Sequence, residues 1–133
     1  MGSVVVGYVA KPEGEAAVDQ GIAEARLRDA RLIVVNSHRG GRDYDADDSA
    51  RADQDLVALE TKLKASGLDY DLRQLVRGFE PAEDLISIAE STDADLIVIG
   101  LRRRTPVGKL ILGSNAQRIL LDAPCPVLAV KVG

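Results

Sequence analysis

The sequence predicts an α/β fold: a doubly wound three-layer sandwich in which four helices cover a five-stranded parallel sheet of order 3-2-1-4-5. Short apolar strands alternate along the chain with segments whose apolar residues recur at helical spacing. Such alternation is typical of parallel strands that are covered by helices on both faces and joined by right-handed crossovers. The chain has 133 residues, of which 46% are hydrophobic, enough for one compact core. We therefore expect residues 1–133 to form a single domain.

The first part of the chain predicts two buried strands separated by a helix. Val4–Val9 is a β-branched apolar run, and Pro12 stands where the first turn of a helix accepts proline. The helix is expected over Glu13–Asp29, because its apolar residues fall on one stripe. Leu32–Ser37 is the second apolar strand. The glycines and charges of residues 38–45 break both periodicities and predict a loop.

The middle of the chain predicts a second helix and an edge strand. Leucines repeat at helical spacing over Asp47–Ser66, and Gly67 stands where a helix C-terminus favours a left-handed residue. Leu68–Leu72 alternates apolar and polar residues, which is typical of a strand with one solvent-facing side. We therefore expect this strand at the edge of the sheet.

The last part of the chain completes the alternation with two helices and two strands. Pro81–Ser91 is expected to be a helix, and Leu96–Ile99 is a third fully apolar strand that ends at Gly100. After an arginine-rich loop, Ser114–Asp122 has helical spacing. Val127–Val132 is the final apolar strand.

Composition and charge exclude several classes of function. The net charge of −4 argues against a general nucleic-acid binder, which concentrates basic residues on one face. Cys125 is the single cysteine, so there is no disulfide framework and no cysteine cluster for a metal, and a reducing compartment fits. The acidic residues of segment 43–48 lack the spacing of a calcium loop. Apolar runs fall well short of the roughly 20 residues that cross a bilayer, and no export signal is recognisable, so we expect a cytoplasmic protein.

The fold itself predicts where a ligand would bind. In doubly wound sheets, ligands bind beyond the carboxyl ends of the strands, where the winding direction reverses. Gly113 and Ser114 precede the last helix, so free backbone N–H groups, the helix dipole and a hydroxyl could converge there on an anion. Gly100 would let a ligand approach the backbone closely. The alternative is that Gly113 only makes a tight turn and Ser114 only caps the helix.

Two common phosphate-binding fingerprints are absent. Gly108-Lys109 is followed by Leu110, where a P-loop requires Ser or Thr, and there is no G-x-G-x-x-G motif. His38 is the single histidine and has no clear acid, nucleophile or metal partner in the sequence. We identify no catalytic residue and no metal motif, and we do not expect an enzyme.

Four segments resemble the universal stress protein family, and the resemblance covers essentially the whole chain. The segments are Gly78-Phe79-Glu80-Pro81-Ala82-Glu83, Ala94-Asp95-Leu96-Ile97-Val98-Ile99-Gly100, Leu112-Gly113-Ser114 and Ala123-Pro124-Cys125-Pro126-Val127-Leu128. The family's ATP-binding pattern is G, two residues, G, nine residues, G, then S or T. This sequence has Gly100, Arg103, Gly113 and Ser114 at those positions, so the spacing fits and the second glycine is replaced.

A second departure lies after the first strand, where nucleotide-binding members carry an aspartate and this chain has Val9. Loss of that carboxylate should weaken recognition of the nucleoside. Arg103, together with Arg102 and Arg104, could pair with phosphate oxygens or fill the space of the nucleotide. The third alternative is that the three arginines form a solvated loop.

The resemblance implies a stress-response protein that binds an adenine nucleotide, ATP or AMP, in a cleft at the C-terminal ends of the strands. It places the phosphates near Gly100, Arg102, Arg103, Gly113, Ser114 and Asn115, and the nucleoside near Val9, Ala10 and Ser37. It also implies a homodimer formed through Val127–Val132. The alternative is a nucleotide-independent dimeric interaction module whose ATP site is degenerate.

Overall fold

A parallel sheet forms the centre of the computed structural model, which describes residues 2–37, 46–75, 81–102 and 113–132. The sheet order is β3-β2-β1-β4-β5, and each neighbouring pair is parallel. The predicted fold class and strand order are therefore confirmed. The strands are β1 (Ser3–Tyr8), β2 (Arg31–Ser37), β3 (Tyr70–Leu75), β4 (Leu96–Arg102) and β5 (Val127–Val132).

Four helices connect these strands within the described residues: α1 (Pro12–Arg28), α2 (Ala46–Ala65), α3 (Pro81–Ser91) and α4 (Ser114–Asp122). Both ends of α3 and α4 agree with the sequence prediction. Helix α1 begins one residue earlier than predicted, at Pro12, because the fixed φ of proline suits a first turn. It ends before Asp29, which has a left-handed φ of 52° and is the C-cap. None of these helices is long and apolar enough to cross a membrane.

Two apolar cores lie on opposite faces of the sheet. Val4, Val6 and Tyr8 of β1 pack into the core that α1 and α2 cover. Val5, between them in sequence, packs into the core that α3 and α4 cover. Alternate residues of a strand point to opposite faces, so a central strand with a core on each side is apolar throughout. This explains why β1, β2 and β4 appear in the sequence as continuous apolar runs.

The edge strand β3 begins two residues later than Leu68, where the sequence predicted it. Gly67 has a φ of +74°, as its place after α2 predicted, and the Leu68 backbone N–H donates to Ser66 Oγ at 3.2 Å. This turn occupies the residues after α2, so pairing with β2 begins only where Tyr70 lies opposite Leu32. The predicted edge position of this strand is confirmed.

Strand β4 is longer than predicted, since it continues past Gly100 to Arg102. The prediction that the strand ends at Gly100 is therefore wrong. The extension is stabilised by β5, because Gly100 lies opposite Val130 and Arg102 lies opposite Val132. Pairing with a neighbouring strand is a tertiary interaction that the local apolar pattern does not contain. Gly100 consequently lies inside a strand, two residues before its end.

Candidate functional site

The strand order reverses between β1 and β4, which are neighbours in the sheet. Helix α1 follows β1 and packs on one face. Helix α4 follows β4 in the chain, and its Ile119 packs on the other face. In doubly wound sheets, the crevice at such a reversal, beyond the carboxyl ends of the strands, is where ligands bind. The two strand ends at this reversal therefore define the candidate site.

The predicted site residues that the structure describes lie at the carboxyl ends of the strands. Val9 and Ala10 directly follow β1, and both are exposed. Ser37 and Arg102 are the last residues of β2 and β4, respectively. Arg103 lies outside the described residues, as do His38 and Arg104. Whether any of these residues contacts a nucleotide stays a prediction.

Helix α4 also begins on the side of the sheet where the strands have their carboxyl ends. A helix that links two parallel strands starts near the carboxyl end of the first strand, which is β4 here. Gly113 is its N-cap, with extended backbone (φ −69°, ψ 165°), and Ser114 is its first residue. The N-cap is therefore Gly113 and not Ser114, the residue that the alternative interpretation expected to cap the helix. Gly113 has no side chain to bond the first N–H groups, which lack partners within the helix. Ser114 and Asn115 are exposed beside them, so this end presents donors and the positive pole of the helix dipole.

Helix α1 packs directly onto β4 at Gly100. A Cβ atom at Gly100 would stand only 2.0 Å from the Glu13 carbonyl oxygen, and one at Gly14 would stand 1.7 Å from the Val9 carbonyl oxygen. Both glycines therefore allow two backbone segments to approach closely. The sequence interpretation assigned the space at Gly100 to a ligand, but the first turn of α1 occupies it. Gly100 thus positions α1 at the reversal point.

A polar cluster beside the end of β1 was missed by the sequence analysis. The hydroxyl of Tyr8, which is 3% exposed, donates to Glu15 Oε1 at 2.9 Å. Lys62 Nζ donates to Glu15 Oε2 at 3.0 Å and to Asp19 Oδ1 at 2.8 Å. Burial, and then the hydrogen bond to Glu15, raises the pKa of Tyr8 well above its usual range. The hydrogen bond to Asp19 raises the pKa of Lys62, against the opposing effect of burial.

Glu13 is the second residue that the sequence analysis missed. It is half-buried in the first turn of α1, and its Oε1 atom is buried without a hydrogen bond from the described residues. The only sequence signal was an acidic residue in a helical first turn, which is too common to single out a site. Its importance appears only from the packing of α1 on β4.

Other features of the described chain do not form a competing site. No group of three potential metal-ligating side chains occurs among the described residues. Cys125 packs against the α3–α4 core, and burial raises the pKa of its thiol. A shallow depression of about 320 Å³ is lined by Ser3, Arg31 and Thr92 among others. It lies at the amino ends of the strands, away from the candidate site at their carboxyl ends.

The fold and the gathered strand ends define a doubly wound α/β protein with its candidate ligand site at the reversal between β1 and β4. The sequence model of the universal stress protein family matches residues 1–131. The chain belongs to the universal stress protein family.

Relatives in sequence and structure agree with this membership. A universal stress protein of Mycolicibacterium smegmatis is 49% identical over 128 residues, which is 96% of each chain. The structure of a universal stress protein from Archaeoglobus fulgidus in complex with dAMP superposes with a TM-score of 0.73 at 30% identity and covers 98% of both chains. A universal stress protein in complex with cAMP has a TM-score of 0.74 at 27% identity, covering 99% of this chain and 98% of the other.

Proposed function

We propose that this chain binds an adenine nucleotide, ATP or AMP, at the carboxyl ends of β1 and β4. The observation that carries the proposal is the reversal of strand order between β1 and β4, beyond whose carboxyl ends ligands bind in such folds. The glycine N-cap at the start of α4 leaves the first N–H groups of that helix without a capping side chain from its own N-cap residue. The two related proteins in complex with dAMP and cAMP support an adenine nucleotide as the ligand class.

In this proposal the two parts of the nucleotide bind to different elements. The phosphates lie at the N-terminus of α4, where backbone N–H groups and the helix dipole favour an anion. Arg102 at the end of β4 adds a guanidinium that suits phosphate oxygens. The nucleoside lies by the β1–α1 loop and the end of β2. The phosphate residues are Arg102, Arg103, Gly113, Ser114 and Asn115, and the nucleoside residues are Val9, Ala10 and Ser37.

The proposed role is that of a stress-response binding protein rather than an enzyme. Neither the sequence nor the described residues offer a nucleophile with a base to activate it, so any hydrolysis of ATP would be weak and incidental. We propose that residues 1–133 act as one nucleotide-binding domain. A cytoplasmic location is also proposed, because a single half-buried cysteine suits a reducing compartment.

Calorimetric titration of the nucleotide-stripped protein with ATP, AMP and GTP tests the proposal. Saturable binding of ATP or AMP, with weaker binding of GTP, is the expected result. Arg103→Gly restores the glycine of the family pattern and is measured alongside. Weaker binding by this variant would make Arg103 a phosphate ligand. No binding of adenine nucleotides by the wild-type protein would contradict the proposal, and binding gained only by Arg103→Gly would indicate that the arginine closes the site.

A second candidate function is a nucleotide-independent dimeric interaction module. The observation that favours it is β5, which lies at one edge of the sheet and has half-buried side chains from Val127 to Val130. An apolar edge strand is a template for pairing with another chain. We propose a homodimer in which β5 pairs antiparallel with its copy across a two-fold axis. This dimer is compatible with either function.

A further inference from the structure

Glu13 lies at the point where the strand order reverses. Glu13 is the second residue of α1, whose first residue is Pro12. Its carbonyl oxygen and Cβ lie 2.0 Å and 3.0 Å from the position that a Cβ of Gly100 would occupy. Glu13 is thereby placed between the end of β1 and the end of β4, where the nucleotide is proposed to bind.

The two carboxylates in the first turn of α1 differ in their hydrogen bonding. Both oxygens of Glu15 accept hydrogen bonds, one from Tyr8 and one from Lys62. Glu13 Oε1 is buried and accepts none from the described residues. A buried acceptor without a donor destabilises the fold, and more so when it is charged. The helix dipole attracts a first-turn carboxylate. This attraction does not explain why Glu13 Oε1 is buried without a donor among the described residues.

We propose that Glu13 Oε1 accepts a hydrogen bond from the nucleoside part of the bound nucleotide. This inference rests on the proposed adenine nucleotide site. Two donors of a nucleoside have the required chemistry, namely a ribose hydroxyl and the adenine amino group. Either would satisfy the carboxylate oxygen, because an ionised carboxylate only accepts hydrogen bonds. Glu13 is then a residue that determines which nucleosides bind.

The variant Glu13→Gln tests this role, because it keeps the shape of the side chain and removes its charge. We expect it to bind AMP about 10-fold more weakly than the wild-type protein, since hydrogen bonds to charged groups are the stronger ones. Its affinity for inorganic pyrophosphate, which lacks a nucleoside, should be unchanged. Glu15→Gln is the matched control on the same helical turn, and it should keep the wild-type affinity for AMP.

Analogues of AMP identify the donor. The wild-type protein and Glu13→Gln are titrated with 2′-deoxy-AMP, 3′-deoxy-AMP and N6,N6-dimethyl-AMP. The analogue that lacks the partner of Glu13 should bind the wild-type protein less tightly than AMP does, and this difference should disappear in Glu13→Gln, as in a double-mutant cycle.

The outcomes separate this inference from the proposed function. Wild-type binding of AMP that is unchanged in Glu13→Gln would overturn the role of Glu13 and leave the nucleotide site standing. A Glu15→Gln variant that loses as much affinity as Glu13→Gln would also overturn it, because the effect would then come from first-turn charge alone. A wild-type protein that binds no adenine nucleotide would overturn both proposals together.

Discussion

Gly100 and Gly14 each lack a side chain at a point where α1 meets another backbone segment. The space that a Cβ would need is filled by the carbonyl oxygens of Glu13 and Val9, respectively. Gly67 is different, since nothing lies within 4 Å of a Cβ built there, and its φ of +74° is what favours glycine. The same residue type therefore serves close packing at one site and backbone conformation at another.

We expect Gly100→Ala to lower the free energy of unfolding by about 1–3 kcal/mol, the usual cost of overpacking. The added methyl group would force α1 away from β4, because the atom it meets belongs to the backbone and not to a flexible side chain. Urea unfolding followed by circular dichroism measures the change. Gly67→Ala is the control, with a loss of about 1–2 kcal/mol from left-handed backbone strain alone.

Titration with AMP should distinguish the two glycine variants more sharply than stability does. Gly100→Ala should weaken the binding of AMP in calorimetry, since a shifted α1 moves Glu13 and the β1–α1 loop. Gly67 lies after α2, far from the reversal point in the chain, so Gly67→Ala should bind AMP as the wild-type protein does. A Gly100→Ala variant with unchanged stability would show that α1 does not press on β4 as described.

At the scale of elements, polar contacts join α1 to α2 at both ends of α1. The Tyr8, Glu15, Lys62 and Asp19 cluster lies at its N-terminal end. Arg26 Nη2 donates to the Ser66 carbonyl oxygen at 2.7 Å near its C-terminal end. The exposed ion pairs contribute little individually. The hydrogen bond of the buried Tyr8 phenol to a carboxylate is the stronger contribution.

Tyr8→Phe should therefore lower the free energy of unfolding at pH 7 by about 1.5–3 kcal/mol, the range for a hydrogen bond to a charged group. The pKa of Tyr8 is raised in the folded protein above its ordinary value of 10.0. The unfolded chain thus loses its phenol proton first as pH rises, so this stabilisation is complete below about pH 10 and declines above it.

Urea unfolding at pH 7, 9 and 11 tests this pH dependence. Wild-type stability should fall between pH 9 and pH 11, and part of that fall should be absent in Tyr8→Phe. Tyr70→Phe, at the first residue of β3, is the matched control and should retain the wild-type slope. A Tyr8→Phe variant that loses stability with pH as steeply as the wild-type protein would contradict the assignment of the decline to Tyr8.

The sequence predicted the ends of some helices and strands correctly and the ends of others incorrectly. The ends of α3 and α4 were predicted because local signals mark them, such as Pro81 at a first turn. The end of β4 and the start of β3 were not, because pairing with β5 and the turn after Gly67 decide them. The strand ends that form the site follow from the fold class. Glu13 could not be identified, since the burial of its oxygen depends on how α1 packs on β4.

At the scale of the whole molecule, β5 is an edge strand of the sheet. The Ile97 N–H donates to the Pro126 carbonyl oxygen at 3.0 Å, and Ile97 lies opposite Val127 while Ile99 lies opposite Ala129. In a parallel pair, each residue bonds to the two residues that flank its partner. The backbone groups of Val127 and Ala129 therefore point away from β4, towards the open edge.

We expect a homodimer by light scattering at micromolar concentration, and we expect Ala129→Pro to be monomeric. Proline removes the outward N–H without taking a hydrogen bond from β4, as in natural edge strands. Ala129→Ser keeps the N–H and should remain dimeric. A monomeric wild-type protein would contradict the dimer, and a dimeric, folded Ala129→Pro variant would place the interface elsewhere.

The contact between Glu13 and Gly100 also has a consequence for the order of folding. It joins the start of the first helix to the fourth strand, so most of the chain must be in place before it forms. Contacts of large sequence separation pay the entropy of closing a long loop first. We expect the ligand crevice to assemble late, after the β1–β2 pair, and a nucleotide to stabilise only chains that have completed the fold. A nucleotide bound in this crevice would then mark chains in which α1 has packed on β4.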